Sequence, residues 1–486
     1  MQRIRPAAIA AAIVIGIGAA GRPALVDLVK GGDLAAVRAA LQAHQSADDA
    51  DREGMSALHV AVLADRADLV ELLLRAGASP NVKNRYGVTP LSVACENGDA
   101  TIVEALLAAG GDPNVALASG ETPLMTAART GNSAAVRLLL GHGVSIEARE
   151  STRQQTALMW AAAEGNAAAI ELLVRAGADV KARSKGGLTP LLFAVRDDRT
   201  DAARMLLASG ADVNERMPDG MSALVVAVTN ANYEMAAFLL DRGADPNADA
   251  QGWTALHQIA VSRKPNTGIN LPGPVPSGDV SGLDLVRTLV AKGADVNARV
   301  KKEIKDGYRS NLNRIGATPF VLAARAPDLD LMRVLLDQGA DPMLATDNGA
   351  SALMVASGVG MWAPGESPGT AEESAEGVKQ LIALGLDVNA VDKNGDTALH
   401  GAALRGADAT IELLDAAGAR LNVKNKVGLT PWRIAEGTFI SNTFKRNPQT
   451  AALLRKLMER RGVWSAEEEA ATAVAAAPSS PGAPPR

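Results

Sequence analysis

Apolar positions in this chain recur as a short phrase. A glycine and one variable residue precede Ser or Thr, then Ala or Pro, Leu, two variable positions and Ala. The phrase begins at Gly54, Gly87, Gly120, Gln154, Gly187, Gly220, Gly252, Gly316, Gly349, Gly395 and Gly428. Successive spacings are 33, 33, 34, 33, 33, 32, 64, 33, 46 and 33. A second apolar stretch carries paired leucines (Leu72-Leu73, Leu106-Leu107, Leu206-Leu207) and closes on Gly-Ala-Asp, about 23 residues after the first anchor. Each period therefore predicts two short amphipathic helices. Ser or Thr caps the first helix by accepting an early backbone N–H. Pro90, Pro123, Pro190 and Pro319 fall in its first turn, where a missing donor costs nothing. Gly77, Gly177 and Gly210 fall where a helix ends and φ turns positive.

One unit cannot bury its apolar face alone, so a period of this kind predicts stacking. The phrase, the period and the eleven copies resemble the ankyrin repeat, whose TPLHxA turn leads into two helices. The resemblance covers residues 54 to about 460 and implies an all-α repeat solenoid with short β-hairpin fingers. It also implies non-catalytic recognition of a protein partner. Residues 21–53 read as an N-terminal helical cap without the TPLH phrase. The array is expected over residues 54–463, with Trp432 and its basic neighbours in a C-terminal cap. Residues 464–486, rich in Ala and Pro, are expected to be disordered.

The first twenty residues carry two patterns. Arg3 and Arg5 precede an apolar run from Ala7 to Ile15 and small residues at Gly18 and Ala20, which reads as a signal peptide. The run falls short of the roughly 20 residues of a membrane span, so an uncleaved anchor ranks second. Gly16, Gly18 and Gly21 also spell GxGxxG, but no second strand ending in an acidic residue follows about 20 residues on. The leader predicts a periplasmic or secreted protein, similar to exported bacterial ankyrin-repeat proteins. Membrane contact is expected only if the leader is retained.

Composition removes several functions. The chain has 49 basic and 54 acidic residues for a net charge of −5, and 13 aromatics, so it lacks the basic, stacking-rich surface of a nucleic-acid binder. Cys95 is the single cysteine, which excludes an internal disulfide, a thiolate zinc cluster and a CxxC redox site. His59, His257 and His400 all occupy the histidine of the phrase. Repeats one and seven should stand about 50–60 Å apart at 8–10 Å per helix, too far for one metal, so these histidines are expected to bond the finger turns. Asp112, Asp179, Asp212, Asp245, Asp295 and Asp341 recur because turns need them. No catalytic residue, cofactor or metal is expected, and the chain should be a monomer.

Two places stand out as candidate binding surfaces. The inner-face position reads Val93, Thr126, Trp160, Phe193 and Val226 in repeats two to six, so Trp160 and Phe193 are expected in a groove, about 10 Å apart. The departures from 33 residues mark insertions at 265–282, 300–314, 358–373 and 436–448. Three lie between the helices of repeats seven, nine and eleven, and should line one edge. They hold Trp362, Phe439 and Phe444. The fourth lengthens a finger, carries Asp306-Gly307 as a hairpin signal, and has a net charge of +3 from Lys301, Lys302, Lys305, Arg309 and Arg314 against Glu303 and Asp306. Insertions in repeat arrays often form the binding face. A small-molecule site or enzyme built on these loops, and a secreted effector acting on a host protein, are the alternatives.

Overall fold

The computed structural model describes residues 23–264, 275–303, 311–361, 368–440 and 443–465. The expected leader, residues 1–20, lies outside them, as does the tail from Ala466. The chain divides into two compact bodies. The first holds residues up to Ala157 and Glu171–Ala178; the second holds Leu158–Ile170 and everything from Asp179. Each body is built from the predicted helix pairs, stacked repeat on repeat.

Repeat five shows the local logic. Thr189 stays extended and its hydroxyl accepts the Leu192 N–H at 3.3 Å. Pro190 opens the helix Pro190–Arg196, which buries Leu191, Leu192, Ala194 and Val195. The second helix, Thr200–Ala208, buries Ala202, Ala203 and Leu206 against its neighbours. Gly210 ends the pair at φ +93°, with open space where a Cβ would stand. Its backbone conformation, and not crowding, calls for glycine there.

The N-terminal cap is a helix pair, Leu25–Lys30 and Leu34–Gln42, which buries Leu25, Val26, Val29 and Val37. At the other end the helix Pro448–Arg460 closes the stack. Trp464, expected at the start of the disordered tail, instead meets the buried ring of Trp432 edge-on, centroids 4.9 Å apart. Arg455 lies 4.8 Å over the Trp464 ring, so the outermost aromatic presents a charged face to water.

The fingers are tight turns more than strands. Among the described residues, strand-like pairing within them is limited to the single bridges Ala50–Ser56 and Arg216–Ser222. The predicted turn carboxylates close those turns as expected. Asp112, Asp212, Asp245 and Asp295 accept the N–H two residues on at 2.9 Å, and Asp179 does so at 2.8 Å.

Successive repeats are stitched by two side-chain types. An asparagine at the foot of the finger reaches into the next helix-end loop. Asn247 donates to the Gly293 carbonyl at 2.8 Å and accepts the Asp295 N–H at 2.7 Å. Asn81, Asn114, Asn214, Asn297 and Asn389 repeat the pair of bonds. Glu147, Lys181 and Met343 stand at this position in repeats three, four and eight.

The histidines are the second stitch. Nδ1 of His257 accepts the Thr254 N–H at 3.1 Å, while Nε2 lies 3.0 Å from the Ala298 carbonyl and 3.2 Å from that of Ala317. The backbone donor at Nδ1 assigns the proton to Nε2, which then donates to the carbonyls. His59 bonds Ser56 and Val88 in the same way, and His400 bonds Thr397 and Leu429. Burial holds all three below the ordinary imidazole range, His257 at about 4.

Two outcomes follow from this packing. Leu206→Ala should cost about 2–5 kcal/mol, because the cavity lies between repeats with nothing free to fill it. Hydrogen exchange should rise around repeats five and six; an equal rise from repeat one to repeat eleven would overturn nearest-neighbour stability. His257 stays neutral in the fold, so the unfolded chain takes up a proton below about 6.5 and the folded one only near 4. Its stabilising effect is complete above 6.5 and is lost as pH falls toward 4, by about 3 kcal/mol. Urea unfolding of wild type and His257→Asn across that window should show a smaller pH dependence in the variant.

Candidate functional site

The insertions are rooted in neighbouring repeats. In repeat seven the first helix, Ala255–Ser262, passes into Arg263 and Lys264. Arg263 holds Asp328 through Nε at 2.8 Å and Nη2 at 3.1 Å. Lys264 bonds Glu373 at 2.6 Å and the Pro327 carbonyl at 3.2 Å. The returning limb lies on repeats five and six: Ser277 Oγ donates to Asp198 at 2.6 Å and the Asp279 N–H to Glu234 at 2.7 Å. Val275 in this limb is 82% exposed. Residues 265–274 lie outside the described chain.

In repeat nine the insertion leaves through Gly358 and Val359, whose backbone lies against Gly401 of repeat ten. A Cβ at Gly401 would collide with the Val359 nitrogen, so this inner-face position has to be glycine. The chain returns at Thr370, which forms a capping box with Glu373 and starts the helix Ala371–Ala383. In repeat eleven the insertion is a β-hairpin, Thr438–Ile440 against Thr443–Lys445, with Phe439 and Phe444 directly opposite each other in the ladder. Strands thus stand within the enlarged loop expected at 436–448, and the alternation in TFI and TFK is the sequence signal for them. Asn447 roots it by donating to the Ala403 and Leu404 carbonyls at 3.1 and 3.2 Å.

The long finger of repeat seven departs from expectation. It pinches at its root, where the Val300 N–H donates to the Ala317 carbonyl at 2.9 Å and the Gly316 N–H to the Val300 carbonyl at 2.7 Å. It then joins the insertion of repeat nine: the Asn311 and Leu312 N–H groups donate to the Gly360 carbonyl at 2.9 and 3.0 Å, and Asn311 Nδ2 donates to Met361 O at 3.2 Å. Two insertions separated in sequence thus share one junction, and Leu312, Val359 and Met361 are buried in it.

Part of the finger's charge is spent within the fold. Lys301 pairs with Asp249 at 2.5 Å, and Lys302 donates to the Ala250 carbonyl at 3.3 Å. Arg314, expected to be part of an exposed basic surface, is buried and paired with Glu303. The root of the finger folds back on its predecessor, so Asp249, absent from the finger's own sequence, takes up the charge of Lys301, while Glu303 of the finger itself takes up that of Arg314. Lys305, Arg309, the Asp306-Gly307 turn and Trp362 lie outside the described residues.

The inner-face expectation also needs correction. Trp160 is half-buried, but Phe193 is buried and is no groove aromatic. Arg196, three residues on along the same helix face, stacks its guanidinium 4.8 Å over the Phe193 ring. Thr126 is buried too, and its hydroxyl donates to Glu121 at 2.9 Å. Cys95 is buried, and burial pushes its thiol up to about 12, which leaves no thiolate at neutral pH. Among the described residues no three His, Cys, Asp or Glu side chains are placed to hold a metal ion, and no helix is long and apolar enough to cross a membrane.

Comparison with known proteins gives a consistent picture. A model of ankyrin repeats in three copies matches residues 68–150, 91–184, 145–217 and 191–271. A model of many copies matches 39–87, and one of the single ankyrin repeat matches 251–301 and 315–348. The chain is 36% identical over 114 residues to Ankyrin repeat and SOCS box protein 16 of Mus musculus, a match covering 24% of each protein. It is also similar to the crystal structure of the ankyrin repeat domain of Bcl-3, at 30% identity and a TM-score of 0.39, over 43% of this chain and 94% of that one. The chain thus spans about a quarter of the length of its curated relative. With more than half of its residues matched by these models, and with the helix pairs and finger turns in place, the chain belongs to the ankyrin repeat family.

Proposed function

We propose that the protein is a non-catalytic scaffold that binds a protein partner through the insertion-bearing side of repeats seven to eleven. Ankyrin repeats generally serve protein–protein interaction. The observation that carries the finer reading is the rooting of the insertions. Arg263, Lys264, Ser277, Gly360 and Asn447 tie their described ends to neighbouring repeats. Fixed roots leave less of an insertion to order on binding. The partner-binding residues in this reading are Trp362, Phe439, Phe444, Lys301, Lys302, Lys305 and Arg309. Half-exposed Trp160 favours a second reading, docking on the inner face. The leader of residues 1–20 supports export.

Three outcomes test this. With the partner isolated by affinity capture, cutting the three loops back to the 33-residue period should weaken binding, and Trp362→Ala alone by about 2 kcal/mol. Unchanged affinity in a correctly folded loop-deleted protein would leave the Trp160 face as the docking site. Charge reversal of Lys305 and Arg309 should slow association more than it speeds dissociation, since long-range attraction acts on the approach. Export predicts that N-terminal sequencing of the native protein starts near Gly21; an intact Met1 in the cytosol would contradict it.

A further inference from the structure

Six asparagines stitch a finger foot to the next helix-end loop, and Met343 stands at their position in repeat eight. The backbone there is the same as at its neighbours. The Met343 N–H donates to the Asp341 carboxylate at 2.9 Å, as the Asn297 N–H does to Asp295 one repeat earlier. The receiving loop is also the same. Gly385 has φ +88° against +89° at Gly339, and each glycine N–H closes on a carbonyl three residues back at 2.9 Å.

Only the side chain differs. Asn297 accepts the Asp341 N–H at 2.8 Å, and Asn389 accepts the Arg420 N–H at 2.8 Å. The Asp387 N–H, in the equivalent place between them, has no acceptor among the described residues. The Gly385 carbonyl likewise has no donor there. Both turns lie wholly within the described residues. Met343 is 53% exposed, while every other methionine of the described chain is buried or half-buried. Exposure is what makes a thioether open to oxidation, and as a thioether it is only a weak acceptor.

We propose that Met343 is a methionine oxidation site, and that its sulfoxide supplies the acceptor this joint lacks. The oxidant is a peroxide. The sulfur lone pair forms the S–O bond as the O–O bond breaks; sulfur is oxidised by two electrons, and the leaving hydroxide takes the remaining proton to depart as water. Sδ lies as many bonds from Cβ as an asparagine Oδ1. The sulfoxide oxygen therefore stands one bond farther out, on an unbranched side chain that can fold back onto the Asp387 N–H. Oxidation tightens this joint, whereas it disrupts a core by making a buried methionine polar. The Gly385 carbonyl stays with water, because a sulfoxide has no donor. Closing of the joint does not depend on a bound partner.

Full-length protein treated with dilute hydrogen peroxide, followed by peptide mass spectrometry and by hydrogen exchange at single amides, tests this. Met343 should gain an oxygen before any other methionine of the described chain. The Asp387 amide should then exchange about 2–10-fold more slowly, the factor of one net hydrogen bond. Methionine sulfoxide reductases should restore the original rate. Met343→Asn without peroxide should slow the same amide by a similar factor, which reads the open position separately from the oxidation. Met343→Leu should show no response to peroxide at Asp387. Earlier oxidation elsewhere overturns the proposal, as does an Asp387 rate that is unchanged or faster in the sulfoxide. An unchanged rate in Met343→Asn, or a slowed one in peroxide-treated Met343→Leu, overturns it too.

Discussion

Finger turns and helix ends in this protein expose backbone groups that their own repeat leaves to its neighbour at three histidines and six asparagines. The neighbouring repeat supplies the partners. His59, His257 and His400 place Nδ1 on a backbone donor of their own repeat and Nε2 on a carbonyl of the next finger. The asparagines do the reverse at the finger foot, with one donor and one acceptor directed at the next helix-end loop. Buried backbone groups left unpaired are costly, so these bonds set the register between repeats as firmly as apolar packing does. The Leu and Ala stripes supply most of the burial energy, but they would tolerate a slip that the directional bonds do not.

That constraint explains where the chain accepts extra residues. Between the two helices of a repeat, a loop can lengthen without touching either stitch. Repeats seven, nine and eleven lengthen there, and each insertion is then tied down by polar contacts to adjacent repeats. The finger of repeat seven is different, because it lengthens inside the stitched region. Its root keeps the register through Val300 and Ala317, and its far limb pairs with the repeat-nine insertion at Gly360. The inner-face residue of repeat ten is glycine because Val359 occupies the space of its side chain.

The period, the caps and the histidine stitch were legible in the sequence because each depends on local chemistry repeated along the chain, whereas the asparagine stitch emerged only from the structure. A capping Thr, a turn Asp or an αL Gly acts within a few residues of itself, so its spacing reports its role. The histidines could be assigned to the finger turns for the same reason. The insertions could be located by arithmetic, since two anchors bracket every repeat.

What the sequence could not determine was which side chains remained available after folding. Phe193 was an inner-face aromatic by position, but Arg196 covers it. Lys301 and Arg314 were basic by composition, but Asp249 and Glu303 take up their charge. The chain by itself determined the repeat, its helices and the places where it is interrupted, because those follow from short-range periodicity. Only the tertiary structure decided which charges and rings are spent inside the fold, because sequence spacing fixes neither the rotamer by which Arg196 covers Phe193 nor the approach of Asp249 to Lys301 from the preceding finger.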